Sequence, residues 1–458
     1  MSTSTGIEPQ VSARPVGTPA DHQVPRQRLV SGPLALVFLA EFCALTSFSL
    51  PFSVMPRYAV AAGASSAGAG LVTAMLLLGT VAAELAAPAL MRRFGYRALL
   101  AAGFLLLGVP VLALLPGGTL AGIVAVSAVR GFGFGLSTVL TSTLTAELVP
   151  ADRRGEGFGL YGIAAMAPEV VALPGGVWLA DRDGVAPVIV LTAASALIAI
   201  ALLRWLPATT RGRPNGGNGL ARSGQPYGLL ASLHRGGQAR PFLIFAASTV
   251  AAGVIASFLP LATGVASNIV VAALLVQALT ATITRWWAGR VGDRHGHARL
   301  LVPALVVAAT GMIAMSWLSS PAAVITGMCL FGAGFGVSQN ATFAMMIDRV
   351  PRAGAGTASA LWNLAYDAGY GAGPAAFGLF VGHSGYPVGF ALTGVLVLAA
   401  VPAARREFSA ARLSRRSGQG DLEGAERMLG VAGAAMRRPE PSSVDRHVIE
   451  RPAEPVKK

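Results

Sequence analysis

Displaced by 201 residues against itself, the chain matches at a series of positions that share this one offset without gaps. Phe94-Gly95-Tyr96-Arg97 falls on His295-Gly296-His297-Ala298, Gly133-Phe134-Gly135 on Gly334-Phe335-Gly336, Val149-Pro150 on Val350-Pro351, and Gly155 on Gly356. The matched positions are loop hinges and glycine-rich segments within two long apolar stretches. A duplicated apolar chain of this kind folds as two related halves, with any pathway lying at the interface between the repeats.

Hydrophobic residues make up 53% of the sequence and charged residues 12%, about half the charged share of a soluble domain. The 56 glycines suit membrane helices, where small residues let backbones approach closely. Runs of roughly 20 apolar residues, enough to cross a bilayer, read at 33–55, 68–91, 96–115, 119–146, 157–180 and 185–206. They resume at 241–263, 267–288, 299–318, 322–346, 355–382 and 386–404. The expected fold is therefore all-α: twelve transmembrane helices in two six-helix bundles related by a pseudo-two-fold axis. Residues 29–206 form the first bundle and 241–404 the second, joined by a Gly/Arg/Pro-rich linker at 207–240. A tail of 1–28 precedes them and a polar tail of 405–458 follows.

The formal net charge of +14 would suggest nucleic acid as a partner of a soluble protein. Its placement argues otherwise. Among the 35 Lys and Arg, Arg57 and Arg182 alone fall in odd-numbered connections, and Arg130 and Arg285 fall inside spans. The others lie in the tails, in the even-numbered connections, or in the last turn of a span bordering one. Short loops rich in Lys and Arg stay cytoplasmic, so both termini are expected inside, in a multi-pass protein of the plasma membrane whose surroundings are lipid. The first 28 residues have no apolar core and read as a tail, not a cleaved signal. A helix around 422–436 either lies on the membrane surface or belongs to a solvated tail. Cys43 and Cys329 fall in different spans and suggest packing, not a disulfide or a metal site.

The connection after the eighth span reads Gly289-Arg290-Val291-Gly292-Asp293-Arg294-His295-Gly296-His297-Ala298-Arg299. It resembles the G-x-x-x-D-R-x-G-x-x-R/K signature of the major facilitator superfamily, and the twelve spans with a central linker are similar to that family over nearly all of 29–404. The resemblance implies a cytoplasmic latch made of Gly289, Arg290, Gly292, Asp293, Arg294, Gly296 and Arg299. Asp293 would face the positive end of the fifth span near Gly155. The matching loop of the first half departs from the signature, with Arg92 at the position equivalent to Asp293. Arg130-Gly131-Phe132-Gly133-Phe134-Gly135 is similar to the family's fourth-helix R-x-x-x-G motif. Pro168-Glu169 with Pro174-Gly175-Gly176, and Gly371-Ala372-Gly373-Pro374, look like degenerate forms of the bend that antiporter members carry. The family therefore implies alternating access, of the drug:proton antiporter type.

Charges inside the spans carry the chemistry. Glu41, Glu84, Arg130, Glu169, Arg285 and Asp367 all interrupt apolar runs. A charge at the bilayer centre costs at least about 2.5–3.5 kcal/mol, so each faces a partner or a wet cavity; a structural ion pair is the competing reading for each. Glu41, in the first span, is the expected proton carrier with Arg130 beside it, as the family's antiporters pair an acid in the first helix with an Arg in the fourth. Asn363 and Asp367 stand four apart on one helical face, and Tyr366 joins them as a cavity candidate with Glu169. Glu84 and Arg285 are equivalent under the offset, with opposite signs, and read as near-loop charges of a latch.

Nothing points to an enzyme. The six histidines pair with no nucleophile, the Gly-x-Gly runs lack a Walker lysine, and neither a catalytic nor a metal site nor a cofactor is expected. The reading is a monomeric secondary transporter exchanging protons for a small organic molecule, most simply for export. Uptake of a sugar, organic acid or other nutrient is the alternative, with Thr141, Ser142, Thr143, Gln277, Gln339 and Asn340 as hydrogen-bonding groups. A non-transporting receptor is the remote third. Reporter fusions check the topology: sites at Ala62, Gly184 and Gly385 should report outside, and those at Arg154 and Asn218 inside. One reversed site would break the twelve-span assignment.

Overall fold

The computed structural model describes residues 31–149, 154–206, 233, 237–262, 264–350 and 355–412. The tail 1–28, most of the linker, and the 422–436 segment lie outside them.

The first bundle holds α1 (Gly32–Ser49), α2 (Val54–Ala61), α3 (Ser66–Phe94), α4 (Tyr96–Gly108), α5 (Leu120–Leu148), α6 (Arg154–Asp183) and α7 (Val185–Leu202). The second holds α8 (Ala239–Phe258), α9 (Ser267–His295), α10 (Ala298–Ala314), α11 (Pro321–Asp348), α12 (Ala355–Ser384) and α13 (Tyr386–Ala399). α1 and α2 form one span, broken at Pro51, where proline removes a backbone donor. Among the described residues the count is therefore twelve spans in two sets of six. Among the described residues nine spans are long and apolar enough to cross a membrane by composition, and α10 is apolar over 17 residues. α6 and α12 run 30 residues each and carry interior prolines, glycines and acids. Packing, rather than hydropathy, gives them their place.

Local chemistry sets the ends. The Ser31 side chain accepts from the Leu34 N–H at 3.4 Å, and Ser65, Thr119 and Ser320 cap α3, α5 and α11 in the same way. The sharp turns after α3 and α9 use Gly95 at φ 75° and Gly296 at φ 93°, a backbone region that side chains avoid. These two glycines are equivalent under the 201 offset.

The offset also holds contact by contact. A Cβ on Gly131 would collide with the Leu76 carbonyl, and one on Gly332 with Gln277 and Thr280. Gly135 meets Thr80, as Gly336 meets Ala281. Gly133 packs on Gly103 and Leu107, as Gly334 packs on Ala304 and Ala308. Each pair in the first bundle maps onto its partner in the second. The duplication is thus a repeated set of helix approaches (α3 on α5, α4 on α5; α9 on α11, α10 on α11), not a coincidence of glycine-rich sequence.

The bundles meet along two seams: α3 against α12, and α9 against α6. Under the offset α3 corresponds to α9 and α12 to α6, so the seams are images of one another. Several boundaries differ from the sequence expectation, and α9 runs to His295, seven residues beyond the expected 288. The first span extends to Ala61, and the helix following α13 runs on to Arg412, beyond the expected end at 404. Glu407 explains the extension: its buried carboxylate accepts from Arg349 at the end of α11 and lies 3.7 Å from Arg240 in α8.

Candidate functional site

The ionisable residues within the membrane sort into three groups. Glu41 is 1% exposed and stays within the first bundle. Its carboxylate accepts from the Thr141 hydroxyl of α5 at 2.8 Å and from the Tyr161 hydroxyl of α6 at 2.9 Å. Arg130 is also 1% exposed, but it serves other partners: Nε donates to the Leu107 carbonyl at 2.9 Å and Nη2 to the Ser47 carbonyl at 2.8 Å. Those two bonds tie α5 to α4 and α1. The expected pairing of Arg130 with Glu41 is not formed. Arg130 and Thr141 are eleven residues apart on α5, about 16 Å along the axis, so the two charges sit at different depths.

The third group lies where the bundles meet. The carboxyl groups of Glu84 of α3 and Asp367 of α12 face each other within hydrogen-bonding reach. Arg285 of α9 donates to the Met166 sulfur of α6 at 3.2 Å and interacts with Glu169 and Tyr366. Glu84 maps onto Arg285 under the offset and Asp367 onto Met166, so the two contacts are the same seam contact made twice with different chemistry. Neither Glu84 nor Arg285 reaches a loop. Each stands ten residues from its helix end, about 15 Å deep, and touches the opposite bundle. The expectation of a near-loop role gives way to this geometry.

Asp367, Tyr366 and Glu169 therefore lie near one another where the bundles meet, and Tyr370 stacks on Tyr366 at 5.3 Å. Asn363, one turn from Asp367 on the same face, is exposed while Asp367 is buried. Trp362, on the neighbouring face, packs on Phe245 and donates to Thr342 within its own bundle.

Cross-bundle contacts close the end of the molecule away from the arginine-rich loops. Thr73 bonds Ser257 at 2.8 Å, Phe52 meets Tyr370 edge-on at 5.4 Å, and Gly70 and Gly378 press against Pro374 and Ser66. Asp181, at the end of α6, accepts from Arg57 at 2.7 Å and from Ser267 in the first turn of α9. An acid of one bundle thereby faces the positive helix end of the other. Nothing in the sequence singled out Asp181 beyond the isolation of Arg57 and Arg182 in odd-numbered loops, because two acids at a loop margin look alike until the helices are placed.

At the opposite end, Asp293 is exposed, with His297 at 3.6 Å. Gly292 is required by the His297 ring, which occupies the space of a Cβ. A cavity of about 680 Å³ lies beside this loop, lined among others by Gly296, Arg299, Asp348, Arg349 and Arg412. The guanidinium of Arg290 stacks over Trp286 at 3.5 Å. Gly289 approaches Asn340, and Arg294 completes the last turn of α9. The expected neighbour of Asp293, the start of α6 near Gly155, lies outside the residues whose side chains are described.

The family model of the Major Facilitator Superfamily matches residues 37–374 and 242–429. The chain belongs to this superfamily. It is a multi-pass membrane transporter and not an enzyme. The fold is similar to the solved nucleoside transporter NupG (TM-score 0.66, 13% identity, 82% of this chain and 99% of that one). It is also similar to a bacterial homolog of the human lysosomal transporter Spinster (0.64, 15%, 83% and 96%) and to a D-xylose-proton symporter (0.62, 17%, 81% and 97%). No curated protein sequence matches the chain.

The closed end supplies a direct test. Asp181→Ala removes the tie between Arg57 and Ser267, so a cysteine placed at Ser66, in a background lacking Cys43 and Cys329, should react at least threefold faster with a membrane-impermeant maleimide. An unchanged rate would mean that Asp181 does not hold this end closed.

Proposed function

We propose that this transporter couples proton movement to the export of small organic molecules, of the drug or secondary-metabolite type, by alternating access. It works as a monomer in the plasma membrane, with both termini and the arginine-rich loops in the cytoplasm. The observation that carries the reading is the convergence of Glu84, Glu169, Arg285 and Asp367 on the two seams between the bundles. Charges so costly in hydrocarbon serve a use that depends on the relative position of the halves.

Arg285 and Glu169 stand on opposite bundles and attract each other across the closed seam. A cationic or proton-bearing species entering between the bundles competes for Glu169 and frees Arg285. That exchange links occupancy to bundle separation, which is what coupling requires. Glu41, bonded only within its own bundle, is a second protonatable group.

A second reading, uptake of a polar solute, draws on α11. Ser338 Oγ, Gln339 Oε1 and Asn340 Oδ1 have no hydrogen-bond partner among the described residues, and Gln339 is 5% exposed. Buried acceptors of this kind are normally satisfied, and a hydroxyl-rich or amide-bearing solute would satisfy them.

Inside-out vesicles carrying an imposed pH gradient, read by a fluorescent dye, separate the two. Lipophilic organic cations should dissipate the gradient in an antiport, whereas D-xylose and nucleosides should have no effect. Arg285→Ala should lower the dissipation rate at least tenfold with expression unchanged. Full activity in Arg285→Ala would remove the seam charges from the mechanism.

A further inference from the structure

We infer that Glu84 and Asp367 hold a single proton between them across the α3–α12 seam, and that this proton keeps the two bundles docked there. The inference deepens the proton-coupled reading above and rests on it for its physiological meaning. A carboxylate is an acceptor only, so two carboxyl side chains can hydrogen-bond to each other only if one carries a proton. The carboxyl groups of Glu84 and Asp367 lie within hydrogen-bonding reach of each other, on helices of different bundles that pack closely together.

The seam places them. α3 and α12 run antiparallel, in register through Ser66 with Gly378, Gly70 with Pro374 and Leu77 with Gly371. The last approach would put a Cβ of residue 371 at 2.9 Å from the Leu77 Cβ, so the backbones are as close as helices come. Side chains lean toward the N-terminus of their own helix. In an antiparallel pair, Glu84 and Asp367 therefore lean toward each other and meet one step beyond the tight packing. Asp367 is 7% exposed, while Asn363, one turn nearer the arginine-rich end, is exposed. The pair thus stands at the inner limit of the sealed seam, where a proton can pass to water.

No cation balances the pair directly. On α12 its neighbours are Tyr366 and Tyr370; beyond them stand Glu169 of α6 and Arg285 of α9, which serve each other. Arg130 of α5 is turned to the Leu107 and Ser47 carbonyls, and Glu147 of α5 is bonded to Tyr96 at the far end. The other packed helices bring charge only near their ends: Arg57 on α2, Arg97 on α4, Arg240 on α8 and Asp348 on α11; α13 brings none. Release of the shared proton to water leaves two facing carboxylates with nothing between them, and their repulsion parts α3 from α12. Uptake of one proton restores the bond. Glu41 cannot act in this way, because Thr141 and Tyr161 both belong to its own bundle.

The symmetry of the fold sharpens the assignment. At the image position the seam carries Arg285 against Met166, a contact that needs no proton. Of these two equivalent contacts, only the one between Glu84 and Asp367 depends on a proton.

The test uses the full chain in lipid nanodiscs, without substrate, with Cys43 and Cys329 replaced and spin labels at Ala62→Cys and Asn268→Cys, two exposed positions of opposite bundles at the closed end. Electron–electron distances should show one short population at pH 5 and a second, longer one at pH 9. In the Glu84→Gln/Asp367→Asn variant, whose amides bond without a shared proton, the short population should persist at both values. A carboxylic-acid C=O band in the infrared spectrum that titrates in the wild type should also vanish in Asp367→Asn alone. A wild-type distribution that ignores pH, or a double variant that keeps the wild-type response, would overturn the inference. If vesicles show gradient-driven transport while the distances ignore pH, the pair loses its role and the transport reading stands. If the distances respond as stated and no tested compound moves protons, the pair stands and the transport reading falls.

Discussion

A charge held in hydrocarbon must find a partner, and this constraint orders the rest of the molecule. Away from the helix ends, six ionisable side chains interrupt its spans, and the structure gives each a distinct solution. Arg130 is satisfied by two carbonyls and becomes a staple among α1, α4 and α5. Glu41 is satisfied by two hydroxyls inside the same bundle. The remaining four each meet a partner across a seam, so their energies depend on how the bundles stand. Of the opposed members of such pairs, one loses its partner whenever the halves separate, at a cost of several kcal/mol for a buried charge. A rocking motion of the bundles and a change of protonation or ligand at the seam are then the same event described twice.

The duplication supplies the frame for this. Repeated approaches such as Gly131 on Leu76 and Gly332 on Gln277 make each bundle a rigid body of closely packed helices. What differs between the repeats is the seam chemistry. One ancestral contact survives as Glu84 with Asp367 and as Arg285 with Met166, and only the first requires a proton. Asymmetry laid on a symmetric scaffold gives one seam a pair of carboxyl groups and the other a guanidinium at the equivalent position.

Much of this was legible in the sequence. The 201-residue offset followed from matched glycines and prolines, the twelve spans from hydropathy and the placement of arginines, and the singling out of Glu169 and Asp367 from the cost of charge within a span. The equivalence of Glu84 and Arg285 was also readable, but its meaning was not. Ten residues from a helix end reads as near a loop until the full length of α3 and α9 is known. The pairing of Glu41 with Arg130 failed for a related reason: family resemblance places their helices together, while depth along α5 separates the charges by three turns. Tyr161, Asp181 and Glu407 left no periodic trace, since each acts through a contact with a helix distant in sequence.

The central claim is that the α3–α12 seam must open and close in every cycle. Cysteines at Ser66 and Gly378, introduced where Cys43 and Cys329 have been replaced, can be joined by a short bifunctional crosslinker cleavable with reductant. Crosslinked protein should stop carrying its substrate across the membrane, and reductant should restore the rate. Transport at an undiminished rate through the crosslinked protein would contradict the claim.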